Sequence, residues 1–210
     1  MRRFMQFFYR LLYHPFAFTY DLVAWGVSFG KWKDWVLSVF PYIEGTRLLE
    51  LGHGPGHLQR FLRSRGLDPA AIDESTQMGR LARRKLGRSH KLARGLSQAI
   101  PFPADMFDTV ISTFPSEYIF DPQTLGEIQR VLTPGGRLIV LPTAFPSNKL
   151  LKWLFKVTGE SPEALDQAVQ ERLLQPFLDA GFQVEVETKE LKSSRLVIVL
   201  ARKWRLGNRD

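Results

Sequence analysis

Three closely spaced glycines follow an acidic residue in the first third of the chain. Glu50 belongs to a short apolar run, and the glycines that follow it are Gly52, Gly54 and Gly56. A turn built from glycines lets a ligand approach the backbone, and the helix that begins after it presents unpaired N–H groups. A carboxylate two residues before the first glycine suits a ligand that carries an ammonium and a sulfonium group. The third glycine comes one residue earlier than in the G-x-G-x-x-G turn that binds dinucleotides.

A second acidic position stands where the next strand is expected to end. Asp73 follows Gly52 at the interval expected of an acid that bonds ribose hydroxyls, and Glu74 is adjacent to it. An alternative role for Asp73 is that of a cap or first-turn acid of the following helix. Met78 is a candidate for contact with an adenine face, and a position in the core explains a methionine equally well.

Alternating strand and helix patterns must position these residues. A parallel sheet with helices on both faces follows from this alternation. The last two strands are joined without a helix and must therefore be antiparallel. The predicted strands are 48–51, 70–72, 91–94, 107–112, 137–141, 183–186 and 195–201, and the predicted helices are 57–65, 75–86, 121–132 and 162–180, after further helical turns before residue 41.

Motifs spread over residues 20–200 occur in the order found in one known family. Beside the glycine turn, these are the segments Ile72–Met78, Gly95–Asp108 and Glu127–Leu138, and the aromatic entry at Tyr20. Together they resemble class I S-adenosylmethionine-dependent methyltransferases, in particular the group that includes the ubiquinone/menaquinone biosynthesis enzymes. The resemblance implies an α/β fold with a Rossmann-like, doubly wound, seven-stranded sheet, mostly parallel with an antiparallel last strand, and with extra N-terminal helices.

The same resemblance implies S-adenosylmethionine as cofactor and S-adenosylhomocysteine as product. The family usually places an acid directly after Gly95, where it bonds the adenine amino group, whereas this chain has Leu96 followed by Ser97. Adenine recognition is then expected to use backbone N–H groups, the Ser97 hydroxyl or apolar packing. The predicted cofactor-binding residues are Tyr20, Glu50, Gly52, His53, Gly54, Gly56, Asp73, Glu74, Met78, Leu96, Ser97 and Thr113.

Acceptor contacts are expected after the fourth strand. Glu117 and Tyr118 are the candidates for catalysis there, with capping or packing beneath the next helix as the alternative. A base is required only if the acceptor must lose a proton. The Asn/Asp-Pro-Pro-Tyr motif of many methyltransferases that act on nucleic-acid amino groups is absent. His53 and His57 flank the glycine turn without further ligands nearby, so no metal site is predicted.

Composition favours an anionic partner. The 210 residues carry a net charge of +8 and contain no cysteine, which fits a reducing compartment. Two segments, 1–13 and 147–157, combine basic and aromatic residues at helical spacing. No run is long and apolar enough to span a membrane, and no secretory signal is found. We therefore expect a cytoplasmic protein that associates peripherally with the anionic inner face of the membrane.

One domain is predicted over residues 1–210. Its parts are an N-terminal helical cap (1–44), a cofactor-binding half (45–142), an acceptor lid (143–161) and a C-terminal helix with a strand pair (162–210).

Methyl transfer to a small or lipid-like acceptor is the function favoured by these patterns. The alternatives are an RNA or protein methyltransferase that uses the basic surface, and a non-catalytic, membrane-associated scaffold that retains cofactor binding. A nucleic-acid partner is disfavoured because no RNA-binding module is appended. A nicotinamide dehydrogenase is disfavoured by the glycine spacing.

Overall fold

Residues 31–87, 89–146, 174–191 and 194–204 are described by the structure, which is a computed structural model. Residues 174–179 are helical, and two short 3₁₀ turns cover Phe40–Tyr42 and Glu117–Phe120. The helices are α1 (Trp32–Leu37), α2 (His57–Ser64), α3 (Thr76–Leu86) and α4 (Pro122–Val131), and the strands are β1 (Leu48–Leu51), β2 (Ala70–Asp73), β3 (Lys91–Arg94), β4 (Phe107–Thr113), β5 (Leu132–Pro146), β6 (Phe182–Leu191) and β7 (Ser194–Lys203).

The described strands form one seven-stranded sheet in the order β3-β2-β1-β4-β5-β7-β6. Neighbours from β3 to β5 pair in parallel, whereas β7 runs antiparallel to both β5 and β6. This confirms the prediction of a mostly parallel sheet with an antiparallel last strand. Strand order reverses between β1 and β4, and in open α/β sheets such a reversal opens a crevice at the carboxyl ends of the strands.

Helices cover both faces of the sheet, as predicted. On one face, Leu49, Leu51 and Val110 belong to a buried cluster that includes the apolar side of α4. On the other face, Leu48 and Ile111 pack in a second cluster with α1 and α2. Side chains alternate between the faces because the strand period is two, so each central strand is apolar on both sides.

Capping residues and glycines in the sequence predicted the ends of α3 and α4 to within one residue. Ser75 caps α3, its Oγ accepting a hydrogen bond from the Met78 N–H at 3.3 Å. The helix ends at Gly87, which adopts a left-handed φ of +82° that favours glycine. Asp121 caps α4, accepting at 3.0 Å from the Gln123 N–H, so that the helix begins one residue later than predicted.

The last three strands are longer than their sequence patterns indicate. β5 extends from Leu132 to Pro146 instead of covering only 137–141, because β4 pairs with its start and β7 with its end. Thr143 and Ala144, predicted as the beginning of a lid, pair with Val197 and Leu196 of β7. The predicted segments 1–30, 147–161 and 162–173 lie outside the described residues.

Candidate active site

A cavity of about 970 Å³ opens at the carboxyl ends of β1 to β4. Its size lies at the upper end of the range found for small-molecule sites. Four segments build its walls, one after each of these strands. The lining residues are Gly52, Gly54, Ile72, Asp73, Glu74, Ser75, Thr76, Gln77, Met78, Arg94, Gly95, Leu96, Ser97, Gln98, Thr113, Phe114, Pro115, Ser116 and Tyr118.

Each glycine of the turn after β1 is required for a different reason. All three have a left-handed φ, between +51° and +83°. A Cβ at Gly52 would lie 2.8 Å from the Tyr118 hydroxyl, and one at Gly56 would lie 2.5 Å from a methyl of Leu86 on α3. A Cβ at Gly54 would meet nothing within 4 Å, although Gly54 lines the cavity. The turn therefore leaves open space for a ligand against the backbone at Gly54 and packs helix α2 closely at Gly56.

Asp73 connects the glycine turn to the start of α3. One carboxylate oxygen accepts a hydrogen bond from the Gly54 N–H at 2.9 Å, and the other accepts from the Ser75 N–H at 2.8 Å. The side chain remains at the cavity wall, where each oxygen keeps a second lone pair for a ligand hydroxyl. Asp73 can thus shape the turn and bind a ribose with the same carboxylate.

Glu50 is buried beneath the site rather than exposed on its wall. Its side chain is 2% exposed and is absent from the cavity lining. Burial raises the pKa of Glu50 to about 8, a rise opposed by the hydrogen bond that Gln59 Nε2 donates to Glu50 Oε2 at 2.8 Å. The Oε1 atom of Gln59 is buried without a partner. Burial therefore favours the neutral carboxyl at Glu50.

His53 is likewise buried. Its Nδ1 donates to the Gly54 carbonyl at 2.8 Å, which fixes the ring orientation. Burial lowers the pKa of His53, although the nearby Asp73 carboxylate acts in the opposite direction. A neutral ring that holds the Gly54 peptide supports the turn from below.

The predicted adenine edge lies on the cavity wall after β3. Leu96 is 52% exposed there, Ser97 lines the same wall, and Met78 contributes a side chain that is otherwise buried. Gln98 also lines the cavity and was not predicted from the sequence. Its side-chain amide donates a hydrogen bond at 3.0 Å to Asp121, the residue that caps α4. Its position in a loop with no secondary-structure pattern gave no signal.

The two predicted catalytic residues are placed differently. Tyr118 lines the cavity, and its hydroxyl is hydrogen bonded to Ser112 Oγ at 2.8 Å and to the Leu51 carbonyl at 3.2 Å. Glu117 is exposed and does not belong to the lining. The Tyr118 hydroxyl therefore supports the end of β1 next to Gly52.

Thr113 lines the cavity as predicted, and the residue after it was missed. Phe114 also lines the cavity and adopts a φ of +50°, which is uncommon for an aromatic residue. Backbone handedness at a single phenylalanine cannot be deduced from the local sequence.

The remaining expectations concern membranes, metals and Tyr20. Tyr20 lies outside the described residues. Within the described ranges, no group of three or more His, Asp or Glu residues could hold a metal ion. The helices of the same ranges include none that is long and apolar enough to cross a membrane.

The cavity has the volume and the kinds of groups that a nucleoside cofactor such as S-adenosylmethionine requires. The bare backbone at Gly54 provides space for a close approach, the Asp73 carboxylate accepts hydrogen bonds, and the apolar wall at Met78 and Leu96 suits a base. With the sheet order, these features are typical of Rossmann-like enzymes, which bind a nucleoside cofactor where the strand order reverses.

Comparison with known proteins specifies the family. Residues 49–140 match the family model described as "Methyltransferase domain". The demethylmenaquinone methyltransferase of Thermus thermophilus is 31% identical over 155 residues, covering 70% of both chains. The ubiquinone/menaquinone biosynthesis C-methyltransferase of Shewanella frigidimarina is 29% identical over 82% of this chain and 81% of its own length. The chain belongs to this family of class I S-adenosylmethionine-dependent methyltransferases.

Solved structures support the same fold. The phosphoethanolamine N-methyltransferase 2 of Haemonchus contortus, in complex with S-adenosyl-L-methionine, superposes with a TM-score of 0.60 at 20% identity. The match covers 84% of this chain and 53% of that one. This likeness shows the fold, and the family membership given above makes the protein an S-adenosylmethionine-dependent methyltransferase.

Proposed function

We propose that the protein transfers a methyl group from S-adenosylmethionine to a small, lipid-like acceptor. The two relatives named above are, by their names, methyltransferases of quinone biosynthesis. Their names support an acceptor that is small and lipid-like, as quinones are. The basic, aromatic-rich segments 1–13 and 147–157 support the same acceptor class, because such segments bind the surface of anionic membranes.

The cofactor's amino-acid end is assigned to the glycine turn after β1. Gly54 offers open backbone there, and the buried Glu50 carboxyl stands behind the turn. Asp73 is assigned to the ribose because its oxygens keep free lone pairs at the cavity wall. Leu96, Ser97 and Met78 are assigned to the adenine.

Orientation is the main contribution that these residues make to catalysis. Bound S-adenosylmethionine supplies an electrophilic methyl group on a positively charged sulfur. The glycine turn and Asp73 hold the donor in one place, and alignment with an acceptor is worth about 7–11 kcal/mol in such displacements. Tyr118 is assigned a positioning role, since its hydroxyl is already hydrogen bonded to Ser112 and to the Leu51 carbonyl.

The observation that supports this proposal best is the pair of hydrogen bonds that joins Asp73 to the glycine turn and α3 at the cavity wall. Titration calorimetry with S-adenosylmethionine, S-adenosylhomocysteine and NADH tests the binding site. Binding of both sulfur ligands with no NADH binding is the expected result. Binding of NADH alone would overturn the assignment.

A methyl-transfer screen tests the acceptor class. Purified protein is incubated with radiolabelled S-adenosylmethionine and, separately, with lipid extract, quinone precursors, bulk protein or RNA. Label is expected in the organic phase with the first two. Label only in RNA or protein would replace the lipid-like acceptor by one of the alternatives, and no transfer in any fraction would favour a scaffold.

A further inference from the structure

Phe114 is held in a backbone conformation that its sequence disfavours. Its φ is +50°, in the left-handed region where residues with a Cβ are uncommon. Pro115 follows it, and a residue before proline favours extended backbone. A strained residue of this kind persists only where the surrounding structure enforces it, and such residues cluster at functional sites.

Three contacts hold Phe114 in place. The Phe114 N–H donates to the Leu141 carbonyl of β5 at 2.7 Å, which ties the residue after β4 to the neighbouring strand. The ring stacks on Trp32 of α1, with centroids 4.2 Å apart and planes inclined by 29°. Trp35 lies against the same ring, with a centroid distance of 6.1 Å. The ring is thus clamped by α1 on one side while Phe114 lines the cavity.

The position of Phe114 relates it to one end of the cofactor. Asp73 is the last residue of β2, and Phe114 follows β4, on the opposite side of β1. If Asp73 bonds the ribose and the glycine turn holds the amino-acid end, the sulfonium between them lies near the end of β1, which β4 adjoins on the side away from Asp73. In the described residues, no acidic side chain lines the wall after β4, which is formed by Thr113, Phe114, Pro115, Ser116 and Tyr118.

We propose that Phe114 recognises the sulfonium group of the cofactor through its aromatic face, and that Trp32 holds its ring in position. A cation near an aromatic face is attracted by the ring quadrupole, and the attraction increases when water is excluded. Stacking on Trp32 fixes the ring without conformational freedom to lose on binding. The inference rests on the proposed placement of S-adenosylmethionine in the cavity.

Selectivity between two ligands tests this role. S-adenosylmethionine and S-adenosylhomocysteine differ by the methyl group and the positive charge on sulfur, so their Kd ratio isolates the cation. In Phe114→Leu, calorimetry is expected to show S-adenosylmethionine weakened by about 5-fold relative to S-adenosylhomocysteine. Phe61→Leu is the matched control, because Phe61 packs edge-on against Phe40 outside the cavity lining. Its ratio is expected to equal that of wild type.

Fluorination of the Phe114 ring keeps the test valid if leucine disturbs the fold. Incorporation of mono-, tri- and pentafluorophenylalanine at position 114 reduces the negative charge of the ring face with little change of shape. The Kd ratio is expected to shift stepwise against S-adenosylmethionine along this series. A flat ratio, or equal weakening of both ligands, would overturn the role of Phe114 while the wild type still binds. Failure of the wild type to bind either ligand would overturn the proposed function itself.

Discussion

At the scale of single residues, the site depends on two carboxyl groups, Asp73 and Glu50, that have different functions. Asp73 accepts hydrogen bonds from the backbone of the glycine turn and of α3, and it also lines the cavity. Glu50 is buried behind the same turn and is held by Gln59. The first acid can act directly on a ligand, whereas the second acts through the structure that it supports.

Asp73→Ala is expected to weaken S-adenosylmethionine binding and to destabilise the protein. The loss of binding should be about 1.5–3 kcal/mol, the scale of hydrogen bonds to a charged group. Stability should fall as well, because the Gly54 and Ser75 N–H groups lose their acceptor. Calorimetry and thermal unfolding measure the two effects. An unchanged Kd in a folded variant would contradict the ribose assignment.

Glu50→Gln is expected to stabilise the ligand-free protein at alkaline pH. The folded pKa of Glu50 is about 8, above its ordinary value of 4.5, so the folded state retains a proton that the unfolded state releases. Wild-type stability should therefore fall as pH rises between these values, by up to about 1.4 kcal/mol per pH unit. A glutamine at position 50 lacks this dependence because it does not titrate.

Thermal unfolding of both proteins between pH 4.5 and pH 8 measures the difference. The advantage of Glu50→Gln should be absent near pH 4.5 and largest at about pH 8. Glu117→Gln serves as a matched control because Glu117 is exposed. A variant that is less stable than wild type at every pH would show that the carboxylate form is the one the fold requires.

At the scale of elements, the glycine turn separates ligand binding from helix packing. Gly54→Ala places a methyl group in open space at the cavity wall, so it should weaken S-adenosylmethionine binding at least tenfold, or about 1.4 kcal/mol. Gly56→Ala brings a methyl group against Leu86, so its main effect should be a loss of stability at the α2–α3 contact. Both variants also strain the left-handed backbone, by about 1–2 kcal/mol.

Each glycine variant serves as the control for the other, because both strain the backbone but only one is expected to affect binding strongly. Calorimetry and thermal unfolding should show the larger binding defect in Gly54→Ala and the larger loss of stability in Gly56→Ala. Equal defects in both measurements would mean that the turn responds as a single rigid unit, and the separate roles would be wrong.

At the scale of the whole molecule, the net charge and the aromatic residues of two segments determine the predicted environment. The chain has a net charge of +8, and its segments 1–13 and 147–157 are proposed to lie on an anionic membrane. Attraction to lipid headgroups extends over a Debye length of about 8 Å at physiological salt, so binding should weaken as salt increases. Inserted aromatic side chains should add a part that resists salt.

Vesicle co-sedimentation measures this association. Wild type should bind vesicles that contain anionic lipid at low salt and bind neutral vesicles poorly. The triple variant Lys149/Lys152/Lys156→Glu should lose most of this binding, whereas exchange of the exposed residues Arg84 and Lys85 for Glu is the control on α3. If the wild-type protein fails to bind anionic vesicles at low salt, the result would favour a soluble acceptor and a lid packed on the domain.

The sequence by itself determined the sheet class, most helix ends and the glycine turn with Asp73. These features depend on short-range effects: the hydrophobic period, the capping at Ser75, and glycines where φ is positive. Tertiary structure decided the rest. Glu50 is buried against Gln59, and β5 extends along β7. The Tyr118 hydroxyl lies next to Gly52 and donates to the Leu51 carbonyl. Each of these depends on partners distant in the chain, and Phe114 acquires its left-handed backbone only because β5 and α1 hold it there.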